Sequence, residues 1–211
     1  SLHMNSRLPF FDADSATRLE NARHPYPVVS LFSGAMGLDL GLNEAGLRVA
    51  VSQDMDKWCI ETMRRNSHLA IDGDIRDLIE SDPSCEFFLQ ASGVTREALF
   101  AVVGGPPCQP FSTAGKRKGV EDARGQLYQE FIKVVSALRP RFFIMENVKG
   151  LASMPCDPAD KQSKPVLDTI LESFKAIGYH TVHGILDAVH YGTPQFRERL
   201  VIVGSRDGED I

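Results

Sequence analysis

From Val28 onward the chain alternates short apolar runs with stretches whose apolar residues recur at helical spacing, and this pattern restricts the fold more than any other feature. Val28 to Phe32, Arg48 to Ser52 and Leu99 to Val103 read as buried strands, and Ala70 and Ile71 lead into a strand end at Asp72-Gly73-Asp74-Ile75. Gly37 to Ala45 reads as a helix, with Leu38, Leu42 and Ala45 on one face and Gly46 as its stop. Met55 to Asn66 is expected to form a second helix, and part of the polar stretch 76–97 a third. Leu127, Phe131, Val134, Val135 and Leu138 mark an amphipathic helix that Pro140 ends, followed by a strand from Phe142 to Met145. The cleanest helical stripe runs from Val166 to Ile177 and stops at Gly178. Residues 112–123 and 152–164 read as loops. Two last strands are expected at about 179–187 and 199–204, with Tyr-Gly-Thr-Pro between them.

Alternation of this kind implies an α/β fold: a Rossmann-like, mostly parallel sheet with helices on both faces. The last two strands have no helix between them, so they are expected to pair as a terminal antiparallel hairpin, because a parallel crossover needs about a dozen residues. His-Pro-Tyr-Pro at 24–27 breaks any regular element, so residues 1–26 read as an extension and 27–211 as one domain. The opening Ser1-Leu2-His3-Met4 is consistent with a cloning scar and is set aside.

Composition narrows the setting. The 211 residues are 43% hydrophobic and 24% charged, which is ordinary for a globular domain. No apolar run approaches the roughly 20 residues of a membrane span, and no secretory signal is expected. Cys59, Cys85, Cys108 and Cys156 form no Cys-x-x-Cys pair and no zinc spacing, so a reducing, cytoplasmic compartment and no metal are expected. A net charge of −5 weighs against strong nucleic-acid binding by this chain alone, because phosphate contacts dominate such affinity.

Phe32-Ser33-Gly34-Ala35-Met36-Gly37 joins the first strand to the first helix and resembles Gly-x-Gly-x-x-Gly with its first glycine replaced. That loss argues against a pyrophosphate and suits a ligand whose carboxylate meets helix N-terminal N–H groups. Asp54 ends the second strand, where an acid meets ribose hydroxyls, and Asp74-Ile75 ends the third, where an acid can accept from an adenine amino group. Any one of these alone reads better as a turn glycine or a cap aspartate. Three in register at successive strand ends point to S-adenosylmethionine.

Cys108 stands in Gly104-Gly105-Pro106-Pro107-Cys108-Gln109-Pro110-Phe111-Ser112, held by three prolines within five residues. A lone cysteine is ordinarily a small buried hydrophobe, which is the reading applied to Cys59, Cys85 and Cys156. The surroundings of Cys108 favour a nucleophile whose thiolate is stabilised by nearby N–H groups or cations.

Gly-Pro-Pro-Cys-Gln-Pro-Phe-Ser resembles the catalytic loop of cytosine-C5 DNA methyltransferases, and other motifs of that family follow in order. Leu31 to Gly37 is similar to its first cofactor motif, Asp122 to Tyr128 to the motif after the nucleophile, Glu146-Asn147-Val148 to its Glu-Asn-Val, and Gln195 to Arg199 to its Gln-x-Arg-x-Arg. The resemblance spans about residues 27–205 and implies a class I S-adenosylmethionine-dependent methyltransferase. It implies catalytic roles for Cys108, Glu146, Arg197 and Arg199. It also implies cofactor contacts from Phe32, Ser33, Gly34, Gly37, Leu38, Asp54, Met55, Asp74, Ile75, Pro106 and Leu127. Taken singly, Glu146 reads as a strand-end acid paired with an arginine, and Arg197 and Arg199 as a solvated strand edge. Lys116-Arg117-Lys118 with Arg124 reads equally as a basic turn or as a mobile loop over DNA, with Gly115 and Gly119 permitting a hinge.

The implied partner is double-stranded DNA. The family's target-recognition region has no counterpart here, so the chain is expected to be a shortened piece or one subunit of a split enzyme, with a second chain bringing recognition. Two other readings remain: a tRNA cytosine-C5 methyltransferase, against which Phe-Ser-Thr after Gln-Pro speaks, and a non-catalytic cofactor- or partner-binding module.

Overall fold

A computed structural model describes residues 26–107, 127–157, 159–160 and 162–209. Seven strands form one sheet: β1 (Pro27–Leu31), β2 (Arg48–Asp54), β3 (Ala70–Asp72), β4 (Ala101–Gly104), β5 (Phe142–Val148), β6 (His180–Asp187) and β7 (Glu198–Ser205). The helices are α1 (Gly37–Glu44), α2 (Lys57–Arg65), α3 (Ile75–Ser81), α4 (Glu86–Ser92), α5 (Leu127–Leu138) and α6 (Val166–Ala176). The polar stretch 76–97 therefore holds two short helices, α3 and α4, where the sequence suggests one.

The strand order is β3-β2-β1-β4-β5-β7-β6. Strands β3 to β5 pair in parallel, whereas β7 runs antiparallel to both β5 and β6. The expected hairpin of β6 and β7 is present, but it does not sit at the sheet's edge in chain order. Helix α6 carries the chain past one strand position, β6 forms the edge, and β7 returns into the gap beside β5.

Strand residues alternate between two faces because successive side chains point to opposite sides. Val29, Leu31, Val51, Val102, Phe143 and Met145 pack with Ile75, Phe88, Phe131, Ile170 and Phe174 of α3 to α6 in the main core. Val28, Val49, Ala101 and Val103 face the other way, with Leu42 of α1 against them. Two glycines mark close approaches in this packing. A Cβ on Gly204 would lie 1.9 Å from the Phe143 ring, and one on Gly104 would lie 2.6 Å from the Leu31 carbonyl oxygen.

Two expectations need correction. The stripe Leu38, Leu42, Ala45 is not the buried face of α1: Leu38 and Ala45 are exposed, Leu42 is half-buried, and Asp39 is the wholly buried side chain. The helix is rotated so that Asp39 meets two strand serines. Nor are the three remaining cysteines alike. Cys85 is buried and Cys59 partly so, while Cys156 is exposed in the loop before α6, its Sγ 3.3 Å from Thr169 Oγ1. Burial pushes the Cys85 thiol up to about 11 and raises that of Cys59, so both are inert thiols at neutral pH.

Candidate active site

The carboxyl ends of β1, β2 and β3 and the segment after β4 enclose a cleft of about 130 Å³ lined by Phe32, Gln53, Asp54, Met55, Asp74, Ile75, Gly105, Pro107 and Leu127. Ligands bind at this edge in open α/β sheets because crossovers leave a crevice there. Six residues singled out from sequence line it: Phe32, Asp54, Met55, Asp74, Ile75 and Leu127. Pro106 is buried behind the wall and Pro107 stands on it. Ser33, Gly34, Gly37 and Leu38 form the turn beside the cleft.

That turn is held from β2. Phe32 and Met36 adopt left-handed backbone at φ 54° and 68°, and Gly34 does so at φ 56°. The Gly34 N–H donates to Asp54 Oδ2 at 2.8 Å, and the Asp56 N–H donates to Asp54 Oδ1 at 2.9 Å. The Gln53 side chain accepts from the Phe32 N–H at 3.4 Å and donates to the Gly73 carbonyl at 2.7 Å, so one buried amide spans the turns after β1 and β3. Sequence reasoning missed Gln53. Its signal was a polar residue on an inner strand, directly before Asp54.

Asp74 caps α3 and is tied to Arg76. It accepts from the Arg76 N–H and Nε, each at 2.9 Å, and pairs with Nη2 at 2.5 Å. The Arg76 guanidinium holds the Asp74 carboxyl below the usual carboxylate range.

Gly105 leads from this cleft to the second part of the site. A Cβ on Gly105 would lie 2.9 Å from Glu146 Oε2, so glycine lets the carboxylate stand where it does, and a larger residue would push it aside. Glu146 Oε1 pairs with Arg199 Nε at 2.8 Å. The two sit on one face of neighbouring strands, diagonally opposed, since Val148 is the register partner of Arg199 and Glu146 that of Val201. Asn147 points to the other face, is buried, and donates Nδ2 to the Pro106 carbonyl at 2.9 Å. It thereby fixes the segment that runs into Cys108.

Arg197 is exposed ahead of β7, its N–H donating to Asp187 Oδ1 at 2.8 Å, and does not join the Glu146–Arg199 pair. Cys108, the basic residues Lys116, Arg117, Lys118 and Arg124, the glycines Gly115 and Gly119, and most of the motif at 122–128 lie outside the described residues. Among the described residues there is no cluster of three or more metal-ligating side chains, and no helix is long and apolar enough to cross a membrane.

The sheet order, the strand-end acids and the cleft define a class I methyltransferase fold. The family model for C-5 cytosine-specific DNA methylase matches residues 26–211, and the chain belongs to that family. Among curated relatives, Type II methyltransferase M.AquIA of Picosynechococcus sp. is 40% identical over 189 residues, covering 86% of this chain and 73% of that protein. M.NgoFVII of Neisseria gonorrhoeae is 35% identical over 194 residues, covering 90% of this chain and 46% of its own length. M.FnuDI of Fusobacterium nucleatum is 37% identical, with 87% and 48% covered. The chain thus spans about half the length of M.NgoFVII and M.FnuDI. A solved DNA modification methyltransferase encoded within an E. coli prophage superposes with a TM-score of 0.69 at 28% identity, covering 88% of this chain and 49% of that one. The S. pombe Dnmt2 methyltransferase shares the fold, with a TM-score of 0.65 at 23% identity over 88% of this chain and 52% of that one.

Proposed function

We propose that this chain is the chemical half of a bacterial restriction-modification enzyme that methylates C5 of a flipped-out cytosine in DNA. The observation that carries the reading is the Glu146–Arg199 pair, set against Gly105 at the mouth of the cleft. It joins a carboxylate and a guanidinium where a planar base with a ring nitrogen and a carbonyl can meet both.

The cleft suits S-adenosylmethionine, which when bound supplies the electrophilic methyl group. Phe32, Ile75 and Leu127 offer apolar walls, and nothing stands within 4 Å of where a Cβ on Gly34 would be, so the space over the turn is open. Asp54 is the acceptor for ribose hydroxyls and Asp74 for the adenine amino group. The Gly34 N–H is already given to Asp54, so a ligand carboxylate meets the first-turn N–H groups of α1 at Gly37, Leu38 and Asp39, which have no intrahelical acceptor.

In the proposed reaction the Cys108 thiolate adds to C6 of cytosine and makes C5 enamine-like. Glu146 holds the protonated N3 edge and draws charge away from C5. Arg199, oriented by Glu146, holds the O2 side, and Arg197 supports the Cys108 loop electrostatically. After methyl transfer the C5 proton leaves to a base, the Cys108–C6 bond breaks, and the thiolate is expelled. The target cytosine must leave the helix stack to reach the site.

Recognition of double-stranded DNA falls to a further segment, in the same chain or in a second one. Its support is the net charge of −5 and the exposed Val148 and Leu186, which flank Arg199 in one row across β5, β7 and β6. Such an enzyme works in the cytoplasm, where its DNA is.

The test is duplex DNA carrying 5-fluorocytosine, with S-adenosylmethionine and a recognition segment supplied. A denaturation-stable adduct is expected, absent in Cys108→Ser. No adduct under those conditions overturns the catalytic reading. An adduct formed with tRNA and not with DNA moves the substrate to RNA.

A further inference from the structure

Asp39 is a buried carboxylate with no part in the chemistry above. Its helix could have packed a leucine against the sheet, and an ionised carboxylate in such a place costs several kcal/mol unless it is well hydrogen-bonded. Its partners are specific. Ser30 of β1 and Ser52 of β2 are register partners on the α1 side of the sheet, both buried. Asp39 Oδ1 accepts from Ser30 Oγ and Oδ2 from Ser52 Oγ, each at 2.6 Å, the short distances of charge-assisted bonds.

The chain of hydroxyls runs further in both directions. Ser30 Oγ accepts from Ser33 Oγ at 2.8 Å, and Ser52 Oγ lies 2.7 Å from His68 Nε2. A carboxylate can only accept, so both strand serines spend their protons on Asp39. The outer groups must then donate inward, which makes Nε2 the protonated nitrogen of His68. Desolvation holds the pKa of His68 below the usual imidazole value, against the pull of Asp39, which fits a neutral ring.

One end of this chain lies at the cofactor edge, and the other lies at the amino end of β3. Ser33 is in the turn after β1, where its N–H donates to the Gln53 carbonyl at 3.1 Å and its carbonyl accepts from the Met36 N–H at 3.0 Å. His68 stands two residues before β3, and the Ser52 N–H donates to the intervening Leu69 carbonyl at 3.0 Å. One buried charge thus holds the turn after β1 and the approach to β3 against β2.

We infer that Asp39 is a positioning residue for the cofactor turn, acting through Ser30 on Ser33 and through Ser52 on His68. It sets where the Ser33-Gly34 backbone stands relative to Asp54 before any ligand arrives. Packing alone would be served as well by an apolar residue at 39; the directed hydrogen bonds would not. The inference rests on the cleft being an S-adenosylmethionine site.

The experiment is calorimetric titration of the full chain with S-adenosylmethionine, well below the unfolding temperature of each variant. Asp39→Asn keeps the shape but places a donor against serines that also donate, and about a tenfold weaker affinity is expected. Ser33→Ala is expected to weaken binding several-fold, Ser33→Thr to restore it, and Asp39→Asn with Ser33→Ala to be no worse than Asp39→Asn alone. Leu40→Ala, on an exposed site of the same helix, is the unchanged control. Asp39→Asn that melts earlier yet binds with full affinity overturns the inference and leaves Asp39 a folding residue. So does additivity of Asp39→Asn and Ser33→Ala. If Asp39→Asn does not fold, failure of Ser33→Ala to weaken binding decides against it equally. Absence of binding by the unaltered chain is a different result: it removes the cofactor reading itself, and this inference with it.

Discussion

The edge proposed to hold the cofactor, called here the cofactor edge, and the Glu146 edge of this sheet are built by different means. At the cofactor edge, β1, β2 and β3 follow one another in the chain and lie side by side in parallel, so their turns meet without long-range help. The acids there are already engaged, Asp54 by backbone N–H groups and Asp74 by Arg76. At the other edge, Glu146 and Arg199 meet only because β7 turns back into the gap between β5 and β6. Their pair is partly exposed, and Lys149 with Glu198 forms a second exposed pair nearby at 2.8 Å. One region is pre-organised by adjacency, the other by a strand insertion. Damage to the first should appear in ligand affinity, and damage to the second in chemistry.

The largest effect expected from breaking this contrast is at Glu146. Glu146→Gln, measured by methyl transfer in the completed enzyme, should lower turnover by about 10² to 10⁴ while leaving S-adenosylmethionine affinity unchanged. Equal losses in both would mean that the two edges are not separable. Next is the strand insertion itself. A Cβ on Gly204 meets the Phe143 ring at 1.9 Å, so Gly204→Ala should destabilise the fold by about 1–3 kcal/mol, read by denaturant unfolding. Gly105→Ala, whose Cβ would lie 2.9 Å from Glu146 Oε2, should reduce turnover more than stability, because only the carboxylate has to move.

Effects of the same size or smaller belong to the cofactor edge. Gln53→Ala removes both bonds of the amide that links the turns after β1 and β3, and should cost about 1–3 kcal/mol in unfolding free energy together with weaker cofactor binding. Smallest is the acid dependence of the Asp74–Arg76 pair. Its folded pKa lies below the unfolded value, so the pair's contribution is full above about pH 4 and is lost as pH falls through the folded pKa. With Arg76 over a third exposed, that contribution is at most about 1 kcal/mol. Arg76→Ala should flatten stability against pH below about 4, and an unchanged slope would remove Arg76 as the cause.

Much of this was legible locally. Helix α5 runs from Leu127 to Leu138, the span its apolar stripe marks, because a helical period of long apolar residues is a nearest-neighbour signal. Asp54 was legible as a strand-end acid because it closes β2, whereas Asp74, expected at a strand end, caps α3 two residues after β3 stops at Asp72. Helix α1 was misread because Leu38 and Leu42 lie four apart and look like a buried stripe, while the sheet beneath offers two serines and so draws in Asp39. Gln53, Asn147 and Gly105 gave no sign of the contacts they make, although Gln53 is polar on an inner strand and the other two stand within the motifs. Each acts across at least 20 residues of sequence or by the absence of a side chain, and neither leaves a periodic trace.

The amino-acid sequence by itself determined the α/β class, the parallel run of β1 to β4, the turn at Gly34 and the motifs around Cys108 and Glu146. These depend on periodicity and short-range chemistry, which any window of the chain contains. Only the tertiary structure decided that β7 lies between β5 and β6, that Arg199 therefore reaches Glu146, and that Asp39 is the buried face of α1. Strand alternation is the same whichever neighbour a strand finds, so register and order are settled by which faces can be buried together.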